Sequence, residues 1–260
     1  MREYLGLIFA YLGDGEPPAF PLLPEFDHPE YVIKHEVSLW PCNYFTQLDN
    51  SMDQAHTAIV HWQFQRGVPT VSAEETEGGA VVNVVGPGYR NPSYFMMPNA
   101  HEWGSPPRLG GKNKWSYARG WRVPVDDEHH CRFGIDVVPM TGEEADRYRQ
   151  QQAERWARAT RPWMDVAEDV IAGRMSPRDL KPEDYPDLVN IQDYIAQVAL
   201  GPIARQPFPE RLGRSDAAVS LVRKIWEREL TALAAGRPLT KWRRPDTLWT
   251  EISASGGDLQ

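Results

Sequence analysis

From residue 80 to residue 139 the chain passes through four strand-like segments with no helical period between them. They cover 80–85, 93–97, 115–125 and 131–138, each bounded by Gly, Pro or the Asp126-Asp127 pair. Parallel neighbours need a long crossover, usually a helix, so strands in direct succession pair antiparallel. An alternating run over 31–40 predicts a further strand. So does 4–12, rich in aromatic and branched residues and closed by Gly13-Asp14-Gly15. Against these strands stands one clean helix over 215–235. Val219, Val222, Ile225, Trp226, Leu230 and Leu233 form its apolar stripe, Ser215 is placed as N-cap, and Gly236 lies just past the end. Residues 142–160 read as a charged helix, 173–187 as a proline-punctuated loop, and 193–199 as a short helical piece. The class is α+β: an antiparallel sheet packed on a long C-terminal helix.

Composition removes several function classes. With 260 residues, 41% of them hydrophobic, the chain can bury a full core. Its net charge is −8, and its densest cationic run, Lys241, Arg243 and Arg244, is too short for a nucleic-acid footprint. Two cysteines, Cys42 and Cys131, cannot frame a disulfide scaffold in a chain this long. No apolar stretch approaches the roughly 20 residues that span a bilayer, and the start carries no cleavable-leader pattern. The expectation is a cytoplasmic protein that binds neither nucleic acid nor membrane.

Residues 43–61 carry the chemistry. Leu48, Met52, Ala55 and Ile59 fall on one helical face, while Asp49, Asp53 and His56 form a second stripe. His56 and His61 stand five apart, with Asp53 three before the first. Neutral imidazole is the commonest side-chain metal ligand, and a 2-His-1-carboxylate face leaves positions open for oxygen. On an ideal helix, residues five apart point about 140° apart. Convergence on one ion therefore requires the helix to break or widen, as in a π turn, between the histidines. On spacing alone, a histidine pair in one helix is more often structural or exposed, and a lone Asp53 more often a cap or a solvated residue.

The segment Asn50-Ser-Met-Asp53-Gln-Ala-His56-Thr-Ala-Ile-Val-His61 resembles the N-x2-D-x2-H-x4-H motif of Rieske non-heme iron oxygenases, the aromatic ring-hydroxylating α subunits. Two further stretches resemble the phthalate-dioxygenase-like branch. One runs Asn190-Ile-Gln-Asp193 to Gly201-Pro202-Ile203, then Glu210-Arg-Leu-Gly213-Arg-Ser215-Asp216; the other is Val125-Asp126-Asp127-Glu-His129. The resemblance covers residues 4 to about 238. It implies a helix-grip, START-like fold and a mononuclear Fe(II) held by His56, His61 and Asp193. It implies O2 as co-substrate, with Asp53 as the carboxylate bridging to a neighbouring subunit's Rieske histidine and Asn50 near the same junction. It implies hydroxylation, or O- or N-demethylation, of an aromatic or heteroaromatic substrate. The walls of the substrate pocket are expected at Phe95, Met97, Asn99, Trp121 and Gln197.

The sequence also departs from the family. A Rieske [2Fe–2S] cluster needs C-x-H and C-x2-H motifs, and Cys42 and Cys131 belong to neither. Residues 1–30 are accordingly expected to be a lead-in strand and Pro-rich remnant of a junction to a Rieske domain. The catalytic domain is then 31–245 and the tail 246–260. Either the chain is a truncated form, or it is a Rieske-less member served by another chain. The cluster, and NAD(P)H through a reductase, would come from a Rieske-bearing partner in a trimer-type assembly. The same residues also fit a ligand-binding or assembly subunit without catalysis, or a zinc hydrolase. His28, His35, His101, His129 and His130 match no ligand position and are expected to be surface or ordinary hydrogen-bonding residues.

Overall fold

The computed structural model describes residues 1–13, 15–17, 19–64, 67–86, 89–105, 116–203, 210–245 and 248. β1 (Arg2–Tyr4) and β2 (Leu7–Phe9) form a small hairpin. β3 (Val32–Trp40), β4 (Thr70–Thr76), β5 (Gly79–Gly86), β6 (Tyr89–Met96), β7 (Ala100–Ser105), β8 (Ser116–Pro124) and β9 (His130–Val138) make one antiparallel sheet. Its order is β3-β9-β8-β7-β6-β5-β4. The helices are α1 (Tyr44–Met52), α2 (His56–Val60), α3 (Gly142–Trp156), α4 (Trp163–Ile171), α5 (Leu188–Val198) and α6 (Ala217–Ala234). The expected α+β architecture is present, and no helix among the described residues is long and apolar enough to cross a membrane.

Two cores lie on the two faces of the sheet. On the inner face, Val82, Val84 and Phe95 pack against Leu48 and Met52 of α1 and Val219, Val222 and Ile225 of α6. Full burial of such side chains contributes about 1.5–3 kcal/mol each. On the outer face, Met96, Ala100, Ile135 and Val137 pack with Leu23, Phe26 and Leu248, and with Tyr4 and Leu7 of the hairpin. Part of the lead-in and Leu248 thus share a core with the sheet; the rest of 246–260, apart from Leu248, lies outside the described residues. Glu102, fully buried on β7, joins Arg119 of β8 to Arg244, whose Nη2 also reaches Glu25 at 3.2 Å.

Several expectations shift. Residues 4–12 are not one strand, because Leu5 (φ 50°) and Gly6 (φ 75°) fold back as a tight hairpin turn. A Cβ at Gly6 would meet His35 Nε2 at 2.5 Å, and that nitrogen donates to the Leu5 carbonyl at 2.7 Å. Ser215 lies in a 3₁₀ turn (Arg214–Asp216), so Asp216 rather than Ser215 stands at the N-cap of α6. Leu230 and Leu233 are exposed and take no part in the core that Val219, Val222 and Ile225 of α6 make with the sheet. Gly236, at φ 63°, ends the helix as expected.

Candidate metal centre

The chain does not run through 43–61 as a single helix. α1 stops at Met52 because Asp53 leaves helical geometry at φ −76°, ψ 83°. The Asp53 carboxylate then accepts the amides of Ala55 (3.0 Å) and His56 (3.2 Å), satisfying the first donors of α2. The break therefore precedes both histidines instead of falling between them. His61 still bonds back to Thr57 as in an α-helix, at 3.2 Å, so there is no π turn. The two histidines converge because α2 is only one turn long and His61, its C-cap, turns away at φ −103°, ψ 36°. The same break rotates Ile59 out to 70% exposure, off the face shared by Leu48, Met52 and Ala55.

α5 brings Asp193 to these histidines. His56 Nε2 lies 3.4 Å and His61 Nε2 3.2 Å from Asp193 Oδ1. One ligand atom from each residue fits within 4.8 Å of the others, and no other such His/Cys/Asp/Glu group occurs among the described residues. The imidazoles stand edge to face, 5.1 Å apart. Each has its second nitrogen engaged. His56 Nδ1 donates to the Asp53 carbonyl, and His61 Nδ1 donates to Gln192 Oε1 at 2.9 Å. This fixes the tautomer and turns both Nε2 atoms toward Asp193. Gln192 is held in turn by Gln63 at 2.7 Å, and Asn50 Nδ2 donates to Asp193 Oδ1 at 3.2 Å.

The electrostatics agree with the geometry. Burial pushes the Asp193 carboxyl up, but hydrogen bonds and charge from His56 and His61 reverse this and hold it well below the usual carboxylate range. Burial pulls His56 down, yet the Asp193 hydrogen bond and charge leave it raised. The buried carboxylate demands positive charge at this point, and the donor set fits a divalent metal with a 2-His-1-carboxylate face. α1 is fixed in place by Arg223 of α6, which reaches Asp49 Oδ2 at 2.6 Å.

The other expected site residues are scattered. Gln197, one turn beyond Asp193 on α5, is 2% exposed, with neither amide atom partnered. Phe95 is buried in the inner core, and Met97 packs against that core. Asn99 donates to the Arg122 carbonyl at 2.7 Å, tying a turn to β8. Trp121 lies on the outer face, where it packs edge-on against Phe9, 5.6 Å between rings. The pleat of β8 turns it away from α1 and α5, contrary to expectation. His101 and His130 are buried rather than at the surface, while His28 stacks on Tyr31 and His129 pairs with Asp126 at 2.9 Å. Sequence reasoning does not find Gln192 and Gln63. A glutamine in a helix carries no ligand signal of its own; only adjacency to Asp193 marks Gln192.

No family model matches the chain. Over 91% of its length it is 22% identical to the phenoxybenzoate dioxygenase subunit alpha of Ectopseudomonas oleovorans, covering 58% of that protein. It is likewise 22% identical over 91% of its length to the 5,5′-dehydrodivanillate O-demethylase oxygenase subunit of a Sphingobium species, covering 53% of that protein. The chain thus spans about half the length of the curated relatives it matches. Among solved structures, it superposes on NdmA of Pseudomonas putida CBB5 with a TM-score of 0.52 at 14% identity, over 84% of this chain and 55% of that one. The terminal oxygenase of carbazole 1,9a-dioxygenase from Novosphingobium sp. KA1 gives 0.54 at 17% identity, over 85% and 65%. In sequence the chain is similar to these two oxygenase subunits, and it shares its fold with the two solved structures.

Proposed function

We propose that this domain is the oxygenating component of a multicomponent system, hydroxylating or demethylating an aromatic substrate at a mononuclear iron. The observation that carries the reading is the convergence of His56, His61 and Asp193 from two distant segments onto one small volume. When bound there, Fe(II) supplies reductive activation of O2 through its open positions. The chain's own residues do the rest. Gln192 and the Asp53 carbonyl orient the imidazoles, and Asn50 orients the carboxylate. Asp53 stands beside His56 as the electron bridge. In this reading the electrons come from a Rieske cluster outside these 260 residues, which hold no C-x-H and C-x2-H pair, and a mixed or trimeric assembly is one way to supply it. A heterologous, head-to-tail contact does not require identical neighbours.

The test is anaerobic loading with Fe(II), followed by metal analysis and turnover with a Rieske-bearing donor. Substrates would be aromatic methyl ethers, methylamines and carboxylates. Wild-type protein should hold one iron and form oxygenated or demethylated product. His56→Ala, His61→Ala and Asp193→Ala should each lose the iron while keeping a cooperative unfolding transition. Full iron retention in any one of them removes that residue from the site. Coupled turnover with a reductase that has no Rieske cluster overturns the electron route.

A further inference from the structure

A neutral imidazole carries one N–H, and the nitrogen that holds it decides whether Nε2 offers a lone pair to an ion. For His56 the main chain settles this: Nδ1 faces the Asp53 carbonyl, which can only accept. His61 has no such direct partner. Its Nδ1 faces the side chain of Gln192 at 2.9 Å, and a primary amide has one donating and one accepting end. An amide turned the other way would donate to Nδ1, leave the proton on Nε2 and take the lone pair away from the site.

Gln192 is not free to turn. Its far end meets Gln63 at 2.7 Å, and the far end of Gln63 meets the Leu180 carbonyl at 3.4 Å. The series therefore ends on a backbone oxygen that accepts only. Gln63 Nε2 donates to Leu180, Gln192 Nε2 donates to Gln63 Oε1, and His61 Nδ1 donates to Gln192 Oε1. Reversing both amides spoils one contact alone, the one at Leu180, where two acceptors would then face each other and a hydrogen bond would be lost. The sense of the whole ladder thus hangs on that carbonyl. Leu180 is well held for the purpose. Its side chain, 2% exposed, belongs to the core that contains Val166 and Val170 of α4 and Leu188 and Ile191 of α5. The 3₁₀ turn before it, Pro177–Asp179, is closed by a capping box between Ser176 and Asp179. Both histidines end on a main-chain carbonyl, His56 directly and His61 through two side-chain amides.

We infer that Gln63 is a positioning residue for the metal centre: anchored on the Leu180 carbonyl, it turns Gln192 so that His61 presents a lone pair at Nε2. This role presupposes that His56, His61 and Asp193 hold a metal; it needs neither O2 nor a substrate.

Substitutions of opposite hydrogen-bonding sense test it. Gln63→Glu can only accept, so it still holds Gln192 the right way round. Gln63→Lys can only donate and turns Gln192 about. Gln63→Met fills the space and does neither. Titration of Co(II) into the apo protein against a chelating indicator reads affinity, and proton NMR of the Co(II) protein reads the exchangeable imidazole N–H signals. Wild type should bind one Co(II) and show two such signals, one for each histidine. Gln63→Glu should bind within about threefold of wild type, Gln63→Met about tenfold weaker and Gln63→Lys about 100-fold weaker, the span usual for groups that support a metal ligand. The His61 signal should be lost in Gln63→Lys. Adding Gln192→Glu, whose carboxylate accepts from His61 whatever stands at position 63, should restore both affinity and signal to Gln63→Lys. Should Gln63→Lys lack a cooperative unfolding transition, the order of Gln63→Glu over Gln63→Met decides. Any other order of affinities, or no loss in any variant, overturns the role of Gln63 while wild-type uptake leaves the metal site standing. Wild type that takes up no Co(II) overturns the metal centre, and the role of Gln63 with it.

Discussion

His130 has no exposed surface. Its Nδ1 donates to the Cys42 carbonyl at 2.8 Å, its ring stacks on Trp40, and its Nε2 has no partner. Burial pushes its pKa down to about 4; the Cys42 carbonyl opposes this, and Arg122 and Arg132 reinforce it. Since the unfolded chain takes up this proton nearer the ordinary 6.5, the stabilisation is complete above that pH and is lost as pH falls toward 4. Each pH unit in that window removes about 1.4 kcal/mol. Asp187 runs the other way: burial raises it to about 6, so its contribution fades as pH rises toward 6. A difference measurement isolates His130. Urea midpoints of wild type should drop further between pH 7.5 and 4.5 than those of His130→Gln, and equal drops would remove His130 from the account. Nothing in the sequence marks this histidine, because its value depends on Cys42 and Trp40, far away in the chain. His56, His61 and Asp193 are legible only through the motifs around them; Gln192 and Gln63 carry no motif at all.

At the scale of elements, the break between α1 and α2 sets the site. Asp53 has two separable duties there, an acceptor for two amides and a negative charge beside His56. Asp53→Ala removes both. It should cost about 1 kcal/mol, as losing an N-cap does, and weaken iron retention as His56 drifts. Asp53→Asn keeps an acceptor oxygen and should retain iron and stability. It should nevertheless lose about 10–100-fold or more of donor-dependent turnover, the usual cost of losing a group that supports a metal ligand. Near wild-type turnover in Asp53→Asn would end the bridging role. The strands over 31–40, 80–85 and 131–138 are legible because their alternation follows the pleat. β4 and β7 are not. In Thr70–Thr76 only one position is fully buried, and Ala100–Ser105 carries His101 and Glu102 where apolar residues would signal a strand. α4 carries a helical period in Trp163, Val166, Ala167, Val170 and Ile171 that the sequence reading passes over; what no local pattern announces is that this stripe packs against Leu188 and Ile191 of α5. The π turn failed as an expectation because ending a helix at the second histidine achieves the same convergence with ordinary backbone.

For the whole molecule, the metal ligands lie on either side of the run from β4 to β9 in the chain. His56 and His61 precede β4, while Asp193 follows β9 and two further helices. Bringing them together closes a very long loop, and such non-local contacts are made late in folding. An ion joined to all three therefore has nothing to hold until the rate-limiting barrier has been crossed. The expected chevron, recorded with and without Fe(II) in the absence of air, has superimposed folding arms and an unfolding arm displaced to slower rates by the metal. Faster refolding in its presence would mean that α2 and α5 meet before the sheet is complete. With the arms as expected, iron acts as a latch on a finished structure: it sets how long a molecule stays folded and has no part in how quickly it gets there.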